Sequence, residues 1–293
     1  MKCKWIKKLT AGIIFLAAVG SLSGCQKAAT SENLFRDIEV NMTSVESAEE
    51  NQIVKLQMGD GDSAISQESN LDIEMTRNPA SVHRKGQQKT NMAGTKETQE
   101  MESYQVEEDG KTVIYSGTDE AWEKNAVEEK ETSSQQTVLF NGLQNLSGAF
   151  SVSQDLATVN KEKCFELTGT ISGTQFQETF ADTLKALLGE DSSDLSGWNL
   201  QASEDEENNE ELQQKLNNVK VDCVIDIYRN NILPAKITFD LTDYLKAAGE
   251  ENAQVTSYTL EVTFVSYNDT KKIKVPKAVK ESAKDNGEDE AEN

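Results

Sequence analysis

The sequence is poor in the residues on which most enzyme sites depend. Its 293 residues include one histidine, four cysteines and three prolines, and aromatic residues make up 6% of the chain. A His-rich metal site or a Ser-His-Asp triad needs partners that this chain lacks. No Gly-x-Ser-x-Gly elbow, phosphate-binding glycine loop or dinucleotide fingerprint occurs. The many carboxylates are compatible with the pair of acidic residues that a glycosidase uses, but the sequence does not indicate which two residues would form it. We therefore expect neither an enzyme nor a cofactor.

The single histidine, His83, lies in a polar segment beside Arg84 and Lys85. With no second histidine to share a site, we interpret His83 as a surface residue of a strand.

Basic residues are also scarce, because 29 Lys and Arg face 51 Asp and Glu and give a net charge of −22. Phosphates repel so acidic a chain, which argues against nucleic acid and against direct adhesion to anionic lipid headgroups. Contact with a membrane would have to come from something other than protein charge.

Only one long apolar run is present, over residues 9–19, and it follows four lysines at positions 2, 4, 7 and 8. A basic start and a short apolar core are typical of a secretory signal, and the run is too short to span a bilayer, which takes about 20 residues. The segment ends in Leu22-Ser23-Gly24-Cys25. An ordinary signal peptide is the alternative interpretation.

The ending at Cys25 resembles the lipobox of bacterial lipoproteins, in which the cysteine thiol takes a diacylglyceryl group and becomes the new N-terminus. We therefore expect residues 1–24 to be removed and Cys25 to be lipidated. Loss of four lysines would move the net charge to about −26. Two acyl chains hold a protein firmly on a membrane. The expected location is the extracytoplasmic face of the cell membrane, with the lipid anchor as the membrane partner.

Two cysteines, Cys164 and Cys223, remain after the signal and the anchor are set aside. An oxidising exterior would allow them to pair. Strand parity argues against it, because Cys164 lies opposite to Phe165 and Leu167 whereas Cys223 shares a face with Ile225. Two separate structural cysteines are the favoured interpretation.

Hydrophobic periodicity divides the rest of the chain into helices and strands. After a tether over residues 25–31, a helix is predicted over residues 32–50 from Leu34, Ile38, Met42 and Val45. Strands are then predicted over residues 53–58, 70–76, 82–92, 98–107 and 111–116, with turns at 59–62, 78–79, 94 and 109–110. The second half reads as a helix over 133–150, a strand over 163–171, a helix over 176–188 ending at Gly189, strands over 219–229, 233–241 and 255–267, and a short helix ending by 284.

Two acidic segments interrupt this pattern, an insertion over residues 190–211 and a tail over residues 285–293. Clustered carboxylates suit calcium, but the spacing lacks the order of an EF-hand loop. A solvated loop and a disordered tail are the favoured interpretations.

These elements predict an α+β fold over residues 32–284 as a single domain. One curved antiparallel sheet with amphipathic helices on its concave face buries every one-sided strand and helix.

Several features together resemble a family of uncharacterised lipoproteins of Gram-positive bacteria. They are the Cys25 lipobox, the Asn78-Pro79 turn, Tyr104 and Trp122 around Asp109-Gly110, and the ending from residues 255–264 to 273–276. The domain of that family is similar to the half-barrel of LolA, LolB and the mycobacterial LppX and LprG lipoproteins. The resemblance implies a cavity that accepts acyl chains, lined by apolar residues without a motif, so no ligand-binding residue carries over.

Two functions are consistent with the sequence. The first is an anchored binding module for a lipid or another hydrophobic small molecule. The second is an interaction or structural lipoprotein with a filled core that meets another envelope protein through its acidic loop. An open or a filled concave face distinguishes them.

Overall fold

A computed structural model describes residues 29–61, 64–118, 121–127, 142–188, 206–248 and 254–285. The predicted signal, Cys25, most of the tether, Leu139, Gly189, residues 190–205 and the tail beyond residue 285 lie outside this part of the chain. Among the described residues, no helix is both long and apolar enough to cross a membrane.

Thirteen strands of the described chain form one curved, unclosed sheet. Their bounds are β1 Ser47–Met58, β2 Ile65–Arg77, β3 Ala80–Met92, β4 Thr95–Glu108, β5 Lys111–Thr118, β6 Ala121–Val127, β7 Phe150–Val152, β8 Ala157–Val159, β9 Glu162–Ser172, β10 Lys220–Tyr228, β11 Pro234–Asp240, β12 Val255–Tyr267 and β13 Lys284–Asp285. The order across the sheet is β13-β6-β5-β4-β3-β2-β1-β12-β11-β10-β9-β7, with β8 paired to β9. All pairings are antiparallel except that of β13 with β6.

Helices cover the concave face of the sheet, as predicted. They are α1 Ser31–Met42, a 3-10 helix Leu143–Ala149, α2 Gly173–Leu188, α3 Glu206–Asn217 and α4 Thr242–Ala248, while α5 Lys277–Ser282 lies on the opposite side. The main core lies between these helices and the strands from β9 to β12. The predicted inward residues Tyr258, Leu260, Val262 and Phe264 of β12 are all buried there, which confirms the alternation.

The predicted helix over residues 32–50 is wrong in its second half. Helix α1 is capped by Thr30, whose Oγ1 accepts a hydrogen bond from the Asn33 N–H, and it ends at Met42. The Thr43 and Ser44 hydroxyls then donate to the Val40 and Asn41 carbonyls, which satisfies the last turn. From Ser47 the chain is already strand β1.

Three other predictions need correction. Residues 206–211 begin helix α3, so this end of the acidic insertion is not a loop; Leu216, one helical turn beyond Leu212, is fully buried. Residues 121–127 form a sixth strand of the meander, in which Trp122 pairs with Gly117. Phe150 begins strand β7, although it shares the core with Leu143 and Leu146 as predicted.

Cys164 and Cys223 are both free and buried. Cys223 lies in the main core, and Cys164 packs on the other face of the sheet with Val159, Tyr228 and Ala235. The opposite faces predicted from strand parity are confirmed. Cys164 does not reach solvent, however, because the side chains of Val159, Tyr228 and Ala235 pack against it.

Candidate functional site

A seam of polar side chains crosses the apolar concave face at strand β1. Glu50 lies in register between Phe264 of β12 and Ile73 of β2. Gln52 lies in the next inward position, between Val262 and Leu71. Since directly opposed residues of an antiparallel ladder share a face, both polar side chains point the same way as their apolar neighbours.

This seam separates two apolar patches. On the β12 side lies the main core, which includes Phe264 and Val262. On the β2 side lies a smaller cluster of Ile73, Met75 and Val82, with Leu71 packed against it. A surface of this kind, apolar on both flanks and polar between them, has the pattern of a site for a molecule with both characters.

Neither Glu50 nor Gln52 has a partner in the described part of the chain. Each side chain is 1% exposed, and both Glu50 carboxyl oxygens and both polar atoms of the Gln52 amide are without a hydrogen bond. Leaving one such group buried and unsatisfied costs about 1–3 kcal/mol. Two adjacent groups of this kind in a strand are a strained arrangement that a bound polar group would relieve.

Burial decides the protonation of Glu50. Removal of the carboxyl from water raises the pKa of Glu50 to about 8, and the nearby charge of Arg84 opposes the rise. Arg84 lies on β3 in the same inward row, with Ile73 between the two. Burial also lowers the pKa of Arg84, and Glu50 opposes that change. At neutral pH Glu50 is therefore mostly protonated, and its carboxyl group has a proton that it can donate to a hydrogen-bond acceptor.

The rest of the concave face, over β9 to β12, is filled. Phe176 of α2 lies against Phe180, Phe239 and Tyr244 with ring centroids 5.7, 5.3 and 4.9 Å apart. Each of these four side chains is at most 2% exposed. This half of the face is a packed core, as the alternative function supposes.

The convex face carries a second polar cluster, centred on His83. Its ring nitrogens lie 3.3 Å from Glu74 and 3.0 Å from Glu102, and the ring stacks on Tyr104 at 4.3 Å. Tyr104 donates a further hydrogen bond to Glu102 over 2.7 Å. His83 thus lies on a strand of the convex face as predicted, although its side chain is only 20% exposed and contacts Glu74, Glu102 and Tyr104.

A cleft of about 430 Å³ adjoins this cluster under the C-terminal segment. Its wall joins Glu49, Glu74 and His83 of the sheet to Asp269 and three lysines, Lys271, Lys272 and Lys274. No group of three or more potential metal ligands comes together among the described residues. The hydrogen bonds of the His83 cluster are made within the protein, so the cluster fixes the sheet here.

The sequence did not single out the residues of the polar seam. Glu50 fell in the predicted helix, and Arg84 was read only as a neighbour of His83 on a surface strand. A strand starting at Ser47 would have placed Glu50 and Gln52 on the face of Val54 and Leu56, which is the one signal available. Cys25, the residue that the sequence did single out, lies outside the described residues.

Comparisons with known proteins give a family and several similar structures. The model of a family of unknown function, DUF6612, matches residues 30–284. No curated protein matches the sequence. LprF from Mycobacterium bovis is 10% identical, with a TM-score of 0.45 over 84% of this chain and 96% of the other. The Mycobacterium tuberculosis lipoprotein LppX is 12% identical, with a TM-score of 0.42 over 83% and 98%. A LolA superfamily protein from Nitrosomonas europaea is 9% identical, with a TM-score of 0.23 over 86% and 97%.

Proposed function

We propose that this chain, which belongs to the DUF6612 family of unknown function, is a membrane-anchored, non-catalytic binding module for a lipid or another amphiphile. One observation carries the proposal: Glu50 and Gln52 are buried and unpartnered between two apolar patches of the concave face. An acyl chain would pack against the apolar patches. A polar head would form the hydrogen bonds that Glu50 and Gln52 lack within the protein.

Bound lipid tests this function directly. Full-length protein, purified from membranes in a maltoside detergent, should release non-covalent lipid on extraction and take up a fluorescent fatty acid saturably. The double variant Glu50→Leu/Gln52→Leu removes the polar seam while keeping its volume, and we expect uptake to fall about tenfold or more because two hydrogen-bonded groups are lost. Glu49→Gln on the convex face of the same strand is the matched control. No released lipid together with no saturable uptake would reject the function.

The anchor is the second part of the proposal. It rests on the lipobox-like ending at Cys25 and on an acidic chain that has no electrostatic means of holding a membrane. Cys25→Ala should leave an uncleaved or soluble precursor, and the detergent-phase fraction should fall from nearly all to nearly none in a phase-separation assay. Cys164→Ala removes a different thiol and should leave partition unchanged. Equal partition of Cys25→Ala and the native chain would contradict the anchor.

The filled half of the concave face favours a second candidate, an envelope lipoprotein that meets a protein partner. Phe176, Phe180, Phe239 and Tyr244 leave that half no room for a ligand. If this candidate is correct, the Glu50→Leu/Gln52→Leu variant should still crosslink to the protein partner. If the binding module is correct, the same variant should lose its bound lipid.

A further inference from the structure

We propose that the head group bound at the polar seam is hydroxylated, so that it donates hydrogen bonds to Glu50 and Gln52 and also accepts one from Gln52. This inference rests on the binding function proposed above and names the chemical class of its ligand. The glycerol end of a monoglyceride is a simple example of such a head group.

The side-chain amide of Gln52 requires both kinds of hydrogen bond. Its Oε1 can only accept and its Nε2 can only donate, and both atoms are buried without a hydrogen-bond partner. A ligand that satisfies the whole amide must therefore offer a donor and an acceptor. A carboxamide has no proton that titrates near neutral pH, so this requirement does not depend on a protonation state.

Glu50 adds a second requirement for a donor. Both of its carboxyl oxygens are buried without a hydrogen-bond partner. Whether or not the carboxyl group holds a proton, at least one of the two oxygens can only accept a hydrogen bond. A ligand at the seam must therefore donate to Glu50 in either protonation state.

The side chains directly beside the seam cannot supply these hydrogen bonds. The four in-register neighbours of Glu50 and Gln52 are all hydrocarbon side chains, namely Phe264, Ile73, Val262 and Leu71. Water could satisfy the seam by donating and accepting in the same way. A head group that displaces water from the seam must also do both, because it would otherwise lose affinity.

The spacing of the two side chains fits a pair of neighbouring hydroxyl groups. Glu50 and Gln52 are two residues apart on one face of β1, so their β-carbons are about 7 Å apart. A hydroxyl group donates and accepts through a single oxygen, so two of them on adjacent carbons can serve both side chains. A sulfonate head offers acceptors alone and an ammonium head offers donors alone, so each would leave part of the Gln52 amide unsatisfied.

Competition against a fluorescent fatty acid tests the head-group class on the full-length protein. The protein is placed in phosphatidylcholine vesicles, because a maltoside detergent is itself hydroxylated whereas a phosphatidylcholine head has no hydrogen-bond donor. Four competitors share one hexadecyl chain and are compared at equal mole fraction in the bilayer: hexadecylglycerol, its dimethyl ether, hexadecanesulfonate and hexadecylammonium. Methylation keeps the acceptor oxygens of the glycerol and removes only its donors.

We expect hexadecylglycerol to bind about thirtyfold more tightly than its dimethyl ether, because the ether leaves the acceptor oxygens of Glu50 and Gln52 unsatisfied. The sulfonate and the ammonium should each bind about tenfold more weakly than hexadecylglycerol. Hexadecyl glucoside distinguishes two sources of a hydroxylated head. Tighter binding of the glucoside than of hexadecylglycerol indicates a sugar lipid, and the reverse indicates a glycerolipid.

Variants of β1 assign the preference to the seam. Gln52→Met keeps the length of the side chain and should lower the affinity for hexadecylglycerol about tenfold, towards that of the dimethyl ether. Gln57→Met makes the same change at an exposed position of the same strand and should leave both affinities unaltered. Glu50→Gln retains an acceptor oxygen and should keep the preference, whereas Glu50→Leu should reduce it about tenfold.

The outcomes separate the class of the ligand from the binding function. Equal binding of hexadecylglycerol and its dimethyl ether to the native chain would overturn the hydroxylated head and leave the binding function in place. This native comparison stands even if a seam variant fails to fold. A preference for hexadecylglycerol that folded Gln52→Met protein retains in full would overturn the assignment to the seam. Absence of any saturable competitor would remove the binding function itself.

Discussion

Replacing Glu50 with glutamine is expected to make the protein more resistant to unfolding at alkaline pH and to leave it nearly unchanged at acidic pH. Glu50 has a pKa of about 8 in the folded chain, against 4.5 for an ordinary glutamate. Between these values the folded state holds a proton that the unfolded state has lost, so the free energy of unfolding falls as the pH rises. Above about pH 8 the whole contribution is lost.

The expected size follows from the shift. One pKa unit is about 1.4 kcal/mol, so the advantage of Glu50→Gln over the native chain should grow by on the order of 4 kcal/mol between pH 4.5 and pH 9. Urea unfolding followed by tryptophan fluorescence at several pH values measures it. All other carboxylates are common to both chains and cancel in the difference. Glu49→Gln is the matched control, and parallel curves for Glu50→Gln and the native chain would show that Glu50 is not held as a buried acid.

The Phe176→Ala variant is expected to lose about 3–5 kcal/mol of unfolding free energy, as is typical of a buried phenylalanine. Phe176 is fully buried, and its ring meets three other aromatic rings in the filled half of the concave face. Val265→Ala, at a β12 residue that is 53% exposed, should change stability by less than about 0.5 kcal/mol.

Ligand binding gives the same variant a second use. If the filled half is only a core, Phe176→Ala weakens folding but leaves the saturable uptake of a fluorescent fatty acid unchanged in protein that is still folded. A loss of uptake in folded Phe176→Ala protein would contradict the division of the concave face into a packed half and the half that carries the polar seam.

The sequence predicted most strongly where one face of a strand is continuously apolar. β12 alternates through Tyr258, Leu260, Val262 and Phe264, and β11 through Ile237 and Phe239, and all are buried as expected. Such strands are specified twice, by residue type and by alternation, because a shift of one residue would expose every apolar side chain.

Prediction failed where buried positions are polar. Glu50 and Gln52 occupy inward positions of β1, so the alternation of apolar and polar residues that marks a strand is absent there. The helical spacing of Met42 and Val45 then led to a predicted helix that continues beyond the true end of α1 at Met42. The contacts of His83 were not predicted, for a related reason. Its burial comes from Glu74, Glu102 and Tyr104 on neighbouring strands, whose alignment depends on the register of the sheet and not on local sequence.

The position of β1 at the centre of the sheet has a consequence for how the chain folds. The meander from β1 to β6 can form as local hairpins, because consecutive strands pair with one another. The group from β9 to β12 is less local, because β9 pairs with β10 across the two helices α2 and α3. The pairing of β1 with β12 joins the two groups, and it closes a loop that contains most of the chain. Until β12 has been synthesised, one edge of β1 is unpaired and Glu50 has no Phe264 beside it. The polar seam is therefore among the last features of the molecule to form, and it is complete only when the two ends of the domain meet.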